Sequence, residues 1–222
     1  MKPILKELTR YGKLLVEKGL TTGPGGNISA RDGNTIHLSP SGYSLAEIGP
    51  DDWVSLDLKS GRRVGRDNGL RPTCEVSMHL ACYLSRPEIR TVVHTHPVTA
   101  TAVATAGVKF KALFPDFVAL LGREVPAVDF VTPGGEEIRA AVAGKVKQGH
   151  NVVLLKNHGA VALGVTLKEA YFRSLLLENA AAFLLAILAA GGRPRYLTPK
   201  EIRSIECLEA EDYRKLLLQK GV

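Results

Sequence analysis

The sequence predicts an α/β protein in which helices pack on a mixed, largely antiparallel sheet. Segments with helical spacing of apolar residues alternate along the chain with short β-rich segments, which is typical of helices layered on a sheet. Two turn signals, Asp32-Gly33-Asn34 and Asn157-His158-Gly159, each join two successive strands, and such hairpins do not belong to a purely parallel sheet. No linker, repeat or low-complexity tract divides the 222 residues, so we expect one domain over residues 1–222.

The individual elements follow from hydrophobic periodicity and from capping or breaking residues. Apolar residues at helical spacing predict a first helix over residues 3–18. Thr73 is expected to cap a helix that ends near Ser85, because Pro87 follows and the residue before a proline disfavours helical geometry. Thr166 is expected to cap a long helix. The other predicted elements are strands at 27–30, 35–38, 53–58, 91–96, 152–155 and 160–163, and helices at 98–106, 135–146 and from about 198.

Composition excludes several function classes. The chain has 29 Lys and Arg against 22 Asp and Glu, a net charge of +7, but the basic residues are scattered among acidic ones rather than clustered. This distribution indicates a solvated surface and argues against a nucleic-acid partner. Three cysteines without framework spacing indicate a reducing compartment. The N-terminus lacks a signal-peptide core, and the apolar run over residues 180–190 is too short to span a bilayer. We therefore expect a cytoplasmic protein with no membrane partner.

The strongest chemical signal is a pair of histidines in one predicted strand. His94 and His96 lie two residues apart, so their side chains share one face and can bind one metal ion. His158, in the tight turn before Gly159, is the best candidate for a third ligand. Three histidines with an open position are the pattern of a catalytic zinc or similar divalent site. The alternative is that the two strand histidines are only packed beneath a sheet edge.

Glu75 strengthens the metal interpretation. It lies at the start of the helix that leads into the His94/His96 strand, where its carboxylate could be a fourth ligand or an acid/base. Its alternative role is to stabilise the helix dipole. His79, one turn later, could join the cluster, although such a histidine is more often a buried helix residue with a local partner.

Three small polar turns suggest an anion site. Gly25-Gly26-Asn27 and Ser39-Pro40-Ser41-Gly42 offer backbone N–H groups, hydroxyls and an amide, and Thr73-Cys74 places N–H groups at a helix N-terminus. Each turn alone is unremarkable. Together with a metal triad they predict a phosphorylated substrate held beside one metal.

These motifs resemble the class II aldolase/adducin family in order and spacing. The resemblance rests on Gly26-Asn27-Ile28-Ser29, Ser39-Pro40-Ser41-Gly42, Arg71-Pro72-Thr73-Cys74-Glu75 with Met78-His79, Val93-His94-Thr95-His96 and Asn157-His158-Gly159, and it extends from about residue 5 to 190. It implies a three-layer α/β/α fold, a homotetramer, and Zn²⁺, with Co²⁺ or Mn²⁺ as substitutes, on the three histidines His94, His96 and His158. It also implies a catalytic Glu75 and phosphate-binding positions at Asn27, Ser41, Gly42, Thr73 and Cys74.

The implied activity is reversible cleavage of a ketose 1-phosphate of the L-fuculose type to dihydroxyacetone phosphate and an aldehyde. The chain departs from the family at Thr73-Cys74, where two serines are usual, and at Phe114-Pro115-Asp116-Phe117, where the aldolases supply a tyrosine. Tyr196 or Tyr213 is then a candidate phenol. The rival functions on this scaffold are a 4-epimerase, a dehydratase, a decarboxylase and a metal-free interaction domain as in adducin.

Overall fold

The computed structural model describes residues 2–220, and within them helices and strands alternate along the chain. The strands are β1 Asn27–Asp32, β2 Thr35–Leu38, β3 Val54–Asp57, β4 Thr91–Thr95, β5 Ala127–Val128, β6 Val152–Leu155 and β7 Gly159–Gly164. The helices are α1 Pro3–Glu17, α2 Val76–Ser85, α3 Val98–Thr105, α4 Pro115–Leu121, α5 Glu136–Lys147, α6 Leu167–Ala189, α7 Pro199–Glu206 and α8 Glu209–Gln219.

The strands form one seven-stranded sheet in the order β3-β2-β1-β4-β7-β6-β5. β5 is parallel to β6, and every other neighbouring pair is antiparallel. The prediction of a mixed, largely antiparallel sheet is confirmed. The register places Asn27 of β1 opposite His94 of β4, which brings the first glycine-rich turn to the histidine strand.

Helices cover both faces of the sheet, which confirms the three-layer arrangement. Alternation along β7 sends Val161 and Leu163 into the core beneath α2 and α5. The intervening Ala160 and Ala162 pack instead with α3, α4 and α6 on the opposite face. The small alanines suit close packing of the long helix α6 on that side.

The structure corrects four details of the sequence interpretation. Thr73 does not cap α2, because the helix begins at Val76 and Glu75 occupies the N-cap position without a capping side-chain bond. The short helix α4 and the two-residue strand β5 were not anticipated. The single helix expected from about residue 198 is two helices, α7 and α8.

Helix α6 is 23 residues long and is apolar enough, by length and composition, to pass a test for a membrane span. Core helices of soluble proteins pass the same test. In this fold α6 packs on α3, α4 and β7 and buries Leu177, Ala180 and Leu184 in the core. It also carries a buried ion pair between Glu169 and Arg173. The prediction of a buried helix over residues 180–190 holds only for Ala180, Ala181 and Leu184, because Phe183, Leu185 and Leu188 of the same run are exposed.

Candidate active site

The three predicted histidines meet at one end of the sheet. His94 lies in β4, His96 immediately follows that strand, and His158 lies in the turn between β6 and β7. Antiparallel pairing of β4 with β7 places Thr95 opposite Ala160, so the turn bends over the end of the histidine strand. One ligand atom from each histidine lies within 4.8 Å of the other two. The sequence prediction that these side chains converge is therefore confirmed as geometry.

Two glycines let the backbones approach this closely. A Cβ atom on Gly159 would lie 2.2 Å from the carbonyl oxygen of Thr95 and 2.9 Å from the His96 ring. A Cβ atom on Gly26 would lie 2.9 Å from the carbonyl oxygen of His94, and its φ of +73° is one that side chains disfavour. Glycine is needed at both positions because the histidine strand end fills the space.

The hydrogen bonds of His94 fix which of its nitrogens faces the cluster. Its Nδ1 lies 3.0 Å from the carbonyl oxygen of Ala160, which can only accept, so Nδ1 carries the proton. Burial, reinforced by the neighbouring imidazoles of His96 and His158, holds the pKa of His94 well below its ordinary value. The ring is therefore neutral, and its Nε2 lone pair points to His96 Nε2 at 3.0 Å. A backbone carbonyl that orients a histidine in this way is typical of metal ligands.

Glu75 completes the cluster from the helix side. Its Oε2 lies 3.2 Å from His94 Nε2 and its Oε1 lies 3.6 Å from His158 Nε2. The residue is only 4% exposed, and within residues 2–220 the buried Oε1 has no hydrogen-bond partner. An unpartnered buried carboxylate oxygen is costly and calls for a cation. Three imidazole nitrogens and one carboxylate fit a divalent transition metal, so the donor set matches the implied cofactor.

Asn27 reaches the same carboxylate from β1. Its amide nitrogen donates to Glu75 Oε2 at 2.8 Å, and its amide oxygen lies 2.6 Å from Nε2 of His79. His79 is fully buried and bonds Ser29 through its other nitrogen, so it does not join the histidine cluster. His79 is thus a buried helix histidine with local partners, the alternative to a metal ligand.

The loops predicted to hold an anion are paired with each other. The Ser41 N–H donates to the carbonyl of Arg71, and the Thr73 N–H donates to the carbonyl of Ser39, so these two amides are occupied. The Thr73 hydroxyl accepts the N–H of Glu75. Among the described residues, the Ser41 hydroxyl and the N–H groups of Gly42 and Cys74 have no hydrogen-bond partner. The structure therefore joins these loops and leaves three neutral donors available.

The candidate phenols are placed differently from each other. The Tyr196 hydroxyl donates to the carbonyl oxygen of Lys109, and Tyr213 is 63% exposed on α8. Phe114 precedes α4 and is half-buried, with its ring 5.6 Å from that of the exposed Phe183 of α6.

Two residues of the site region were missed by the sequence analysis. Ser29 and Tyr83 extend the chain of hydrogen bonds behind Asn27 and His79. The signal was present, because Glu75, His79 and Tyr83 are spaced four residues apart and so share one helix face.

Comparisons with known proteins match most of the chain. The family described as Class II Aldolase and Adducin N-terminal domain matches residues 6–185. An L-fuculose phosphate aldolase of Methanococcus maripaludis is 33% identical over 177 residues, which cover 80% of this chain and 93% of the relative. A 3-oxo-tetronate 4-phosphate decarboxylase of Haemophilus influenzae is 30% identical over 208 residues, and the match covers 90% of this chain and 95% of the relative.

A solved structure of an L-fuculose 1-phosphate aldolase superposes with a TM-score of 0.85 at 30% sequence identity. The match covers 96% of this chain and 97% of that structure. The relatives thus share one fold and include more than one reaction on sugar phosphates.

Proposed function

This chain belongs to the class II aldolase and adducin family, and from that premise we propose that it is a zinc-dependent aldolase. The proposed reaction is reversible cleavage of a ketose 1-phosphate, of the L-fuculose 1-phosphate type, to dihydroxyacetone phosphate and an aldehyde. The names of the matching aldolases support this substrate class.

One observation carries the proposal. The Glu75 carboxylate is buried at the three-histidine cluster with one oxygen unpartnered, although burying such a group is unfavourable. A structural role would satisfy both oxygens. An incomplete partner set instead suits a group that binds a cation or exchanges a proton.

The chain's own residues then have separable roles. His94, His96 and His158 would hold the metal, with Glu75 as a possible fourth ligand in the free enzyme. The bound ion would supply Lewis-acid stabilisation of the negative charge that forms on the dihydroxyacetone phosphate half. As the C3–C4 bond breaks, the C4 hydroxyl loses its proton to solvent and becomes the aldehyde carbonyl, and the electron pair remains on C3. Glu75, after taking up a proton from solvent, delivers it to that carbon. In the condensation direction Glu75 removes the same proton.

The phosphate would be held by the paired loops. Ser41, Gly42 and Cys74 offer neutral donors, and Thr73 fixes the loop that carries Cys74. Asn27 donates its amide N–H to the Glu75 carboxylate, one residue after the loop that carries Thr73 and Cys74. Neutral N–H and hydroxyl groups bind a phosphate through directional hydrogen bonds. Such bonds would fix the orientation of the substrate and therefore of its reacting carbon.

The test is release of dihydroxyacetone phosphate from a panel of ketose 1-phosphates with added Zn²⁺, Co²⁺ or Mn²⁺. We expect release from at least one substrate and loss of release after chelation. Failure of every substrate would refute the aldolase assignment and favour the decarboxylase, whose relative in Haemophilus influenzae covers 90% of this chain. A 3-oxo-4-phosphosugar acid, assayed for carbon dioxide release, would then be the next substrate.

We further propose that the enzyme is a cytoplasmic homotetramer without nucleic-acid or membrane partners. Cys74, Cys82 and Cys207 are all unpaired thiols, which suits a reducing compartment. Light scattering of the purified protein tests the assembly, and a monomer at micromolar concentration would overturn it.

A further inference from the structure

A row of buried polar side chains leads from the core of the protein to Glu75. On α2 and its N-cap, Glu75, His79 and Tyr83 are spaced four residues apart and share one face. On β1, Asn27 and Ser29 are two residues apart and share one face of the strand. All five residues are buried, and His79 and Ser29 are completely inaccessible. A helix row and a strand row of polar groups therefore face each other inside an apolar core.

The chemistry of the donors and acceptors sets one direction along this row. A carboxylate only accepts, so the Asn27 amide nitrogen donates to Glu75 and the Asn27 oxygen faces His79. That oxygen can only accept, so His79 Nε2 carries the proton across the 2.6 Å contact. In a neutral ring Nδ1 is then an acceptor, and the Ser29 hydroxyl donates to it at 2.7 Å.

The far end of the row closes in the same direction. The Ser29 hydroxyl uses its only proton in the hydrogen bond to His79, so its oxygen accepts a hydrogen bond from the Tyr83 hydroxyl at 2.7 Å. Burial lowers the pKa of His79 to about 3, so its ring is neutral at physiological pH. Burial raises the pKa of the Tyr83 phenol well above its ordinary value, so it keeps its proton to donate. Each link therefore has one donor and one acceptor.

We propose that His79 is a positioning residue that holds the Asn27 amide in one orientation and, through it, fixes the Glu75 carboxylate at the three-histidine cluster. Ser29 and Tyr83 support this role by selecting the His79 tautomer that donates from Nε2. The role in catalysis rests on the proposed function of Glu75, whereas the orientation itself is a property of the folded chain.

The consequence for Glu75 is geometric. The amide bond from Asn27 holds Oε2, and the unpartnered Oε1 is left on the side of His158. Without His79 the Asn27 amide can rotate and present its oxygen to the carboxylate, which would repel it. Partners that orient a ligand in this way typically contribute 10–100-fold to metal affinity or activity.

The first experiment tests the orientation in the metal-free protein. Nitrogen-15 NMR of labelled histidine should show His79 as the neutral tautomer protonated at Nε2, from pH 8 down to about 5. Protonation at Nδ1 alone would overturn the proposal, because Nε2 would then have no proton to donate to Asn27. An imidazolium ion at pH 6 would overturn the role of Ser29 and Tyr83, because Nδ1 would then donate to Ser29. This measurement uses the wild-type chain and does not depend on any activity.

The second experiment compares His79→Leu, which removes the donor, with His79→Gln, whose amide nitrogen can replace Nε2. We expect His79→Leu to slow solvent exchange of the hydroxymethyl hydrogen of dihydroxyacetone phosphate about 10–100-fold, with KM changed less than about threefold. His79→Gln should recover most of that rate. Equal losses in both variants, or a change confined to KM, would contradict a positioning role.

Zn²⁺ affinity, measured by competition with a chelating dye, separates failure of this inference from failure of the proposed function. His79→Leu should weaken Zn²⁺ binding about tenfold or more, with recovery in His79→Gln, even if the wild type shows no exchange. Unchanged affinity in a folded His79→Leu protein, together with unchanged exchange, refutes the inference. If His79→Leu does not fold, Ser29→Ala replaces it, and a His79 resonance still wholly in the Nε2-protonated form would refute the role of Ser29.

Discussion

Two buried glutamates in this fold have opposite surroundings. Glu169 of α6 is paired with Arg173 at 2.7 Å and accepts the N–H of Val165 at 2.7 Å, and the remaining Arg173 donors bond backbone carbonyls of Leu120 and Leu163. Glu75 is equally buried but receives one amide, from Asn27, and its other neighbours are the imidazoles of His94 and His158 rather than a guanidinium.

The difference indicates that buried Glu169 stabilises the fold, whereas buried Glu75 serves the chemistry of the site. A buried ion pair is tolerated when its geometry is good and its other donors are satisfied, as at Glu169 and Arg173. A buried carboxylate with an unpartnered oxygen is retained at a cost to stability, and such costs concentrate at functional sites. The comparison predicts that mutations at the two glutamates will affect different measurements.

Substitution of Glu75 by Gln should give the largest effect, and it should fall on the chemistry of the site rather than on the stability of the fold. Gln can still accept the Asn27 amide but cannot take up or deliver a proton at C3. We expect exchange of the hydroxymethyl hydrogen of dihydroxyacetone phosphate to fall by about 10²–10⁴-fold, the usual contribution of general acid–base catalysis. The control is that the three histidines still bind Zn²⁺, so exchange is measured at a Zn²⁺ concentration that saturates the variant. Exchange within tenfold of the wild type would refute the acid/base assignment.

Substitution of Glu169 by Gln should affect stability instead. It leaves Arg173 buried without its counter-charge, and breaking a buried pair from one side costs about 3–5 kcal/mol. Urea unfolding of the metal-free protein measures this loss in the free energy of unfolding. In the same assay Glu75→Gln should be neutral or slightly stabilising. If Glu75→Gln proves the more destabilising of the two, the contrast drawn between the glutamates is wrong.

The sequence predicted the His94/His96 pair because strand alternation is local, and His158 was chosen as the third ligand from its place in a tight turn. His94 and His96 are related by strand alternation, and the tight turn at His158 marks where the next hairpin must bend. Glu75 was predicted for the right site but placed inside the helix rather than at its N-cap. The sheet class followed from the two hairpin signals in the same way.

Long-range pairing was beyond the sequence interpretation. The bonds from Asn27 to Glu75 and from Ser29 to His79 join residues 48 and 50 positions apart, and no local periodicity specifies them. β5 was missed because it is only two residues long and lies at the edge of the sheet, where it pairs with β6 alone. The break between α7 and α8 falls at Cys207 and Leu208, where no glycine or proline marks an end.

Replacing a glycine by alanine should have different effects at the histidine cluster and in a helix away from it. Gly159→Ala would place a methyl group 2.2 Å from the Thr95 carbonyl, so the strand end beneath His96 must move. We expect a loss of about 1–3 kcal/mol in the free energy of unfolding and weaker Zn²⁺ binding.

Gly144→Ala is the matched control. Gly144 lies in α5 with nothing within 4 Å of an added Cβ, so alanine should stabilise the protein by up to about 1 kcal/mol. Equal effects of the two substitutions on Zn²⁺ affinity would show that the close approach at Gly159 does not matter to the site.

The last expected effect is a pH dependence that arises beside Glu75 and not beside Glu169. Folded His79, which is near Glu75 and His94, has a pKa lowered to about 3, chiefly by burial, whereas in the unfolded chain its pKa is about 6.5. Between these values the unfolded state binds one more proton, so stability falls as pH falls, by about 1.4 kcal/mol per unit once unfolded His79 is fully protonated. Urea unfolding of metal-free protein between pH 7 and 5 measures the slope. His79→Gln should reduce that slope by about one proton, whereas Glu169→Gln should leave it unchanged. An unchanged slope in His79→Gln would show that His79 is already protonated in the folded state, in which case Nδ1 would donate to Ser29 and the deduced direction of that hydrogen bond would be reversed.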